Sequence, residues 1–193
     1  MSQFLSVSFE HAHPSADEIR IAAYHCAMDA GEKGVCLVQA KVLDHAAPIN
    51  VVVNIAAGEA TVVLSLPKQI HAFPFGWAYY FESGVYLVTE QPAEAVSKDV
   101  RSSVSDTDPL YLLALDKESA FVTTMLCLPD ALRPVPRTVE GAAAAAMYLH
   151  RDLEHGTMEV TVGQAGGILE IGMRKESGEV TGLSAGGPVE VSV

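Results

Sequence analysis

Cations, cysteine and tryptophan are scarce in this chain, and no long apolar run is present. Lys and Arg number 12 against 24 Asp and Glu, a formal net charge of −12. That field repels phosphate backbones, so nucleic acid is not an expected partner, and an anionic membrane surface is disfavoured for the same reason. The three cysteines, Cys26, Cys36 and Cys127, form no CxxC pair. So sparse and odd a count argues against a disulfide framework and suits a reducing cytosol, so a cytoplasmic protein is expected. The nearest approach to a bilayer span, Ile49 to Leu66, is broken by Asn54, Gly58 and Glu59, and no membrane segment is expected. No cationic region followed by an apolar run opens the chain, so no signal peptide is expected either. G-x-S-x-G, P-loop and dinucleotide-binding fingerprints are all missing.

What the chain does have is apolar material. Hydrophobic residues make up 49% of 193 positions, enough for one packed domain or two small lobes with cores of their own. Ile19, Ala22, Ala23, Cys26, Ala27 and Ala30 recur at helical spacing, which predicts a helix from Ser15 to Ala30. Ser15 with Glu18 has the form of a capping box, and Gly31 and Gly34 supply the stop. Val35–Leu43, Ile49–Ala56 and Ala60–Leu66 are dense in Val, Ile and Thr and read as a β-meander.

The second half repeats this order. Thr138 can cap an alanine-rich helix running to Leu153, followed by strands over Thr157–Val162, Gly167–Met173, Glu179–Leu183 and Pro188–Val193. Helix and strands take a similar length in both halves, which points to an internal duplication. A helix apolar on nearly every side should be buried on most of them, so each meander is expected to curl around its helix. Between the halves, Trp77–Phe81, Val85–Glu90, Tyr111–Leu115 and Ala120–Leu128 read as strands and Ala93–Val104 as a polar helix. Pro129–Pro136, with three prolines, reads as a loop. A lobe boundary is expected between Lys68 and Trp77, giving lobes 1–72 and 73–193.

The stretch from Thr138 to Leu149, the strand–Gly166-Gly167–strand segment Glu159–Ile171 and the closing segment Val180–Val191 resemble a known superfamily. They are similar to the two-lobed diaminopimelate epimerase-like proteins, and nearest to the phenazine-biosynthesis PhzF-like isomerases. Ser15–Leu66 resembles the same pattern more loosely. The resemblance implies an α+β fold of two duplicated lobes, each a mainly antiparallel sheet curled around a central helix. It also implies a cofactor-independent isomerase that moves a proton within a small carboxylic acid.

The motifs depart from the two-cysteine epimerases. Ser15 and Thr138 stand where the paired cysteines would be, and a hydroxyl is too weak an acid and base to replace a thiol pair unaided. The Gly-His pair of the PhzF-like branch reads Ala16-Asp17. That branch works with a carboxylate and polar neighbours, which makes Glu10, Asp17 and Glu140 the candidate catalytic groups. Ser15, Thr138, Gly141 and His13 are then the candidate substrate-binding residues. In such a fold the positive ends of the two helices suit a small carboxylate; the simpler account is that Ser15 and Thr138 only cap their helices, each worth about 1 kcal/mol.

His11, His13 and Glu18 imitate an H-x-H-x4-E metal spacing, but Glu18 falls inside the helix and no metal is expected. An alternative reading is a catalytically inactive relative that binds a small acid or a protein partner. Little chain precedes the first helix to form opening strands, and the apolar sheet left uncovered would favour a homodimer.

Overall fold

Strand β1 (Leu5–Phe9) alternates Leu, Val and Phe inward with Ser outward, and its partner β2 (Val35–Val42) runs parallel to it, Leu5 opposite Val38 and Val7 opposite Ala40. A parallel pair needs a crossover, and helix α1 (Ala16–Asp29) supplies it. The computed structural model describes residues 4–11, 14–104 and 108–189. Within them the chain divides into two compact units, one comprising the described residues of Met1–Leu64 and Ser184–Val193, the other Ser65–Leu183.

In unit 1, β3 (Ile49–Asn54) and β4 (Glu59–Val63) continue the sheet in antiparallel fashion, Val38 opposite Val51 and Val51 opposite Val62. Ser184 and Ala185 then pair with Val63 and Val62. One face of these strands presents Val38, Ala40, Val51, Val53, Ala60 and Val62, all fully buried, and α1 covers them with Ile19, Ala23 and Ala27. Burial of each such valine or isoleucine side chain is worth about 1.5–3 kcal/mol. The expectation of a helix with a meander beside it holds here. Little chain was expected to open this lobe, and among the described residues one short strand, β1, does so and is covered by α1.

Unit 2 contains β5 (Gln69–Phe73), β6 (Gly76–Phe81), β7 (Gly84–Thr89), α2 (Ala93–Ser103), β8 (Leu110–Asp116), β9 (Phe121–Cys127), β10 (Leu132–Val135), α3 (Val139–Leu149), β11 (Gly156–Gln164) and β12 (Gly167–Glu176). The final strand, β13 (Glu179–Gly186), begins in this unit, and its residues from Ser184 onward belong to unit 1. Strand order in unit 2 is β13-β12-β11-β9-β8-β7-β6-β5, with β10 paired to β9 alone. The β7–β8 and β9–β11 pairs are parallel, so the sheet is mixed.

Two helices cover it. Helix α3 packs on β7, β8, β11 and β12, and Val139 with Gly141 through Tyr148 are all buried. Ala142 to Ala146 have no exposed surface at all. Alanine is what permits this, since a larger side chain would hold the strands away. Helix α2 buries Ala93, Val96 and Val100 against Val85, Leu87, Leu110 and Leu112 in a second cluster. Among the described residues the molecule is thus α+β, with large mixed sheet structure and three helices.

Several boundaries differ from expectation. Gln69–Phe73, for which no strand was expected, forms β5. The proline-rich stretch contains strand β10, with Pro134 in its middle. Helix α3 stops at Leu149 instead of Leu153, and buried Lys175 donates from Nζ to the carbonyls of His150 (3.0 Å) and Arg151 (3.2 Å) just beyond its end. Of the strand expected over Pro188–Val193, Pro188 makes an isolated bridge to Glu59; residues 190–193 lie outside the described ones. No helix among the described residues is long and apolar enough to cross a membrane.

Candidate functional site

The two helix N-termini are where the sequence directs attention, and they are built differently. At α1, Ser15 is extended and its Oγ accepts the Glu18 N–H at 3.1 Å, while Glu18 Oε2 accepts the Ser15 N–H at 2.6 Å. The reciprocal pair of the capping box is therefore formed, and both side chains are occupied by it. Asp17 faces the other way. Its Oδ1 receives Arg20 Nη1 at 2.6 Å, and Arg20 is only 1% exposed.

The Arg20 guanidinium also donates from Nε to the Ala60 carbonyl and from Nη2 to the Gly187 carbonyl, each at 2.8 Å. Buried charge of this kind is tolerated only when it is paired and its donors are satisfied. Asp17 is thus the counter-ion of a guanidinium that ties α1 to β4 and to the returning C-terminal segment. Glu10 is exposed at the end of β1. His13 lies outside the described residues, and His11 sits edge-on to Phe9 at 5.9 Å.

At α3 the cap residue Thr138 is extended, at φ −135° and ψ 138°, yet its hydroxyl makes no cap bond. Its Oγ1 is enclosed and finds no hydrogen-bond partner among the described residues. Its backbone is held instead by Gln164 of β11. Gln164 Oε1 accepts the Thr138 N–H at 3.0 Å, and Gln164 Nε2 donates to the Thr138 carbonyl at 3.1 Å. The first intrahelical bond runs from Ala142 N–H to Thr138 O, and the amides of Val139, Glu140 and Gly141 precede it in the first turn. Gly141 is glycine for a steric reason: a Cβ there would collide with Thr138 Oγ1 and meet Leu113 Cδ2 at 3.0 Å.

Glu140 is half-buried on this first turn. Burial first, and then the charge of Glu140, pushes the phenol of Tyr86 far above its ordinary range. Tyr86 is 3% exposed, stacks on Tyr111 at 4.7 Å and shares a 3.2 Å hydrogen bond with Ser83. Arg137 precedes the cap and lies against Gly166, whose own N–H donates to Pro136 O at 2.8 Å.

Within unit 2 the structure therefore brings together Thr138, Glu140 and Gly141 on one helical turn, with Gln164 beside them and Tyr86 near Glu140. Within unit 1 it brings Ser15 to Glu18 and Asp17 to Arg20, and leaves Glu10 exposed. Gln164, Arg20 and Tyr86 were not anticipated. Gln164 could have been found from strand parity, since it shares the inward side of β11 with Val160 and Val162. Arg20 follows Ile19 on the helix and stands three residues after Asp17, a spacing that allows an ion pair. Among the described residues no three of His, Cys, Asp and Glu gather as a metal set.

No family model matches the chain, and no curated protein matches it. Solved structures do. A predicted epimerase from Pseudomonas aeruginosa superposes with a TM-score of 0.60 at 12% identity, covering 91% of this chain and 71% of that one. A protein from Clostridium difficile (strain 630) described as a phenazine-biosynthesis PhzC/PhzF protein gives 0.52 at 13% identity, covering 91% and 72%. At such identities the likeness is one of backbone architecture, and it supports the same conclusion as the motifs from Thr138 onward: the chain has the diaminopimelate epimerase-like fold of the PhzF-type proteins.

Proposed function

We propose that the protein is a cofactor-independent isomerase that moves a proton within a small carboxylic acid, in the manner of PhzF-like enzymes. The observation that carries this reading is the first turn of α3. There a half-buried carboxylate, Glu140, shares one turn with three amides that precede the first intrahelical bond and with the enclosed hydroxyl of Thr138. An anionic group of the substrate is stabilised by such amides and by the positive end of the helix dipole. A carboxylate beside it can take a proton from one carbon and return it to another. Gly141 lets the Thr138 hydroxyl and Leu113 pack against the turn, which holds its shape.

In this assignment Glu140 is the principal acid–base group, with Thr138 and Gly141 of the same turn contacting the substrate; roles for Glu10, Ser15 and His13 are proposed from the sequence resemblance alone. Asp17, though tested alongside them, is engaged with Arg20. Duplication of the helix-and-meander unit, with each sheet wrapped around its helix, is part of the same proposal. It is supported by α1 and α3 each lying buried against their own strands.

The test is proton exchange in deuterated water across a panel of small carboxylic and amino acids, followed by NMR. The expected result is carbon-bound deuterium in at least one acid, reduced about 100-fold or more in Glu140→Gln. Exchange that survives Glu10→Gln, Asp17→Asn and Glu140→Gln alike would remove these roles.

One observation favours a second reading, a catalytically silent protein that binds a small acid or a protein partner. The first turn of α1 spends Ser15 and Glu18 on its capping box and Asp17 on Arg20, which leaves that end without an uncommitted acid–base group on the helix. Calorimetry showing tight binding of an acid that undergoes no exchange would select this reading over the first.

A further inference from the structure

Helix α3 has a second feature at its opposite end. Tyr148 lies about 15 Å along the axis from Thr138 at about 1.5 Å per residue, and it forms one wall of a half-open cavity of about 250 Å³. The other walls are the β5–β6 turn from Phe73 to Trp77 and the residues Thr89 to Gln91 that end β7. The cavity therefore lies wholly within unit 2.

Phe73, Phe75, Trp77 and Tyr148 contribute rings to a lining that is otherwise largely polar. Trp77 meets Tyr148 edge to face at 6.3 Å, and Phe73 stacks on Phe75 at 5.1 Å. Glu90 is the charged group among the described residues that line it. Glu90 Oε1 accepts the Tyr148 hydroxyl at 2.7 Å and Oε2 pairs with Lys117 Nζ at 2.7 Å. The Lys117 bond first, and the Tyr148 bond second, hold this carboxyl below its ordinary range, so it is an anion at neutral pH. A carboxylate offers about four lone-pair sites, and these two bonds leave capacity for a further donor.

The chain's own cations already engage two of these rings and the carboxylate. The Arg151 guanidinium lies 4.1 Å from the Tyr148 ring centroid and 6.0 Å from that of Trp77, and Lys117 occupies the carboxylate. Ring faces and a carboxylate together are the usual recognition elements for an alkylated ammonium. The net charge of −12 raises the local concentration of such ions. Lys117 is 52% exposed, and an exposed pair of this kind is weak enough to be displaced.

We propose that this cavity binds a small organic ammonium ion, its charge against Glu90 and its carbon substituents against the Trp77, Tyr148 and Phe75 rings, in competition with Lys117. At about 30 Å³ per atom the volume admits on the order of eight non-hydrogen atoms, the size of choline. The site is separate from the α3 N-terminus and does not depend on the isomerase reading.

Trp77 is the chain's one tryptophan, so its fluorescence reports the cavity directly. The intact protein is titrated with choline and, in parallel, with dimethylbutanol, the neutral isostere in which carbon replaces nitrogen. Choline is expected to give a saturable change and dimethylbutanol none. Glu90→Gln is expected to weaken choline about tenfold. Lys117→Ala is expected to tighten it severalfold by removing the competing cation, an effect that general loss of structure cannot produce. No saturable response, an equal response to both compounds, or unchanged affinity in both variants would each overturn the proposal. Phosphatidylcholine vesicles carry the same ammonium on a surface. If the protein sediments with them while free choline is silent, a soluble ligand is excluded.

Discussion

Gln164 brackets Thr138: one side-chain amide accepts the backbone N–H and donates to the backbone carbonyl of the same residue, 26 positions earlier in the chain. The cap of α3 is thus held from β11 and not by its own hydroxyl. Gln164 is 4% exposed, so water cannot readily replace it. Gln164→Ala is expected to leave two backbone groups without partners and to cost about 3 kcal/mol. Urea unfolding followed by circular dichroism measures this, and a loss within experimental error would mean that the bracket is dispensable.

Glycine to alanine inside a helix ordinarily stabilises by up to about 1 kcal/mol. Gly141→Ala is expected to do the opposite, because the added methyl collides with Thr138 Oγ1. Thr138→Ala removes that oxygen while keeping a Cβ 3.5 Å from the new methyl. The double variant is therefore expected to be more stable than Gly141→Ala alone, a non-additive cycle readable in thermal melts. Simple additivity would contradict the steric account.

Arg20→Met is expected to destabilise by about 2–3 kcal/mol, since it takes the guanidinium donor away from the Ala60 and Gly187 carbonyls. The loss should extend to the segment that Arg20 holds. Hydrogen exchange at Val189, whose N–H donates to Gly58 O at 2.8 Å, is expected to accelerate more than exchange in α3. Equal acceleration in both places would show that Arg20 acts through global stability alone.

Alkaline unfolding should begin with two phenols. Burial, foremost, raises the pKa of both Tyr79 and Tyr86 well above that of an exposed tyrosine. A folded-state pKa raised above the unfolded value of about 10 means that their contribution to stability is complete below that pH and is lost as pH climbs above it. Tyr86→Phe and Tyr79→Phe are expected to move the alkaline unfolding midpoint upward, as followed by phenolate absorbance. A midpoint unchanged in both would place the alkaline transition elsewhere.

The parts of the fold legible in sequence were those with local causes. The Ser15–Glu18 box and Gly31 delimit α1, and the run of five alanines predicted a helix buried on most sides, as α3 is. Strand β10 was hidden because Pro134 reads as a breaker. It is tolerated there because β10 pairs with β9 alone and the other edge needs no donors. Strand β5 was hidden because its residues are mostly exposed, as suits the end of a strand order, so it carries no burial pattern. Lys175 meets the carbonyls just beyond the end of α3, and the role of Asp17 depends on carbonyls at Ala60 and Gly187. Neither relationship leaves a trace in a short window of residues. The α3 turn was legible as a motif, whereas Gln164 needed strand parity and a fold to connect it to Thr138.

The return of β13 to unit 1 bears on the order in which the protein can form during synthesis. Unit 2 is contiguous, Ser65–Leu183, so none of its residues waits for a segment made later than Leu183. Unit 1 begins earlier in the chain but lacks the strand that pairs with Val62 and Val63, and Arg20 lacks the Gly187 carbonyl, until everything between has been made. Its valine-rich β4 edge and a buried-type arginine must therefore wait, exposed, for the longest interval of translation. Premature termination after Leu183 would yield a complete second unit attached to an open and sticky first one.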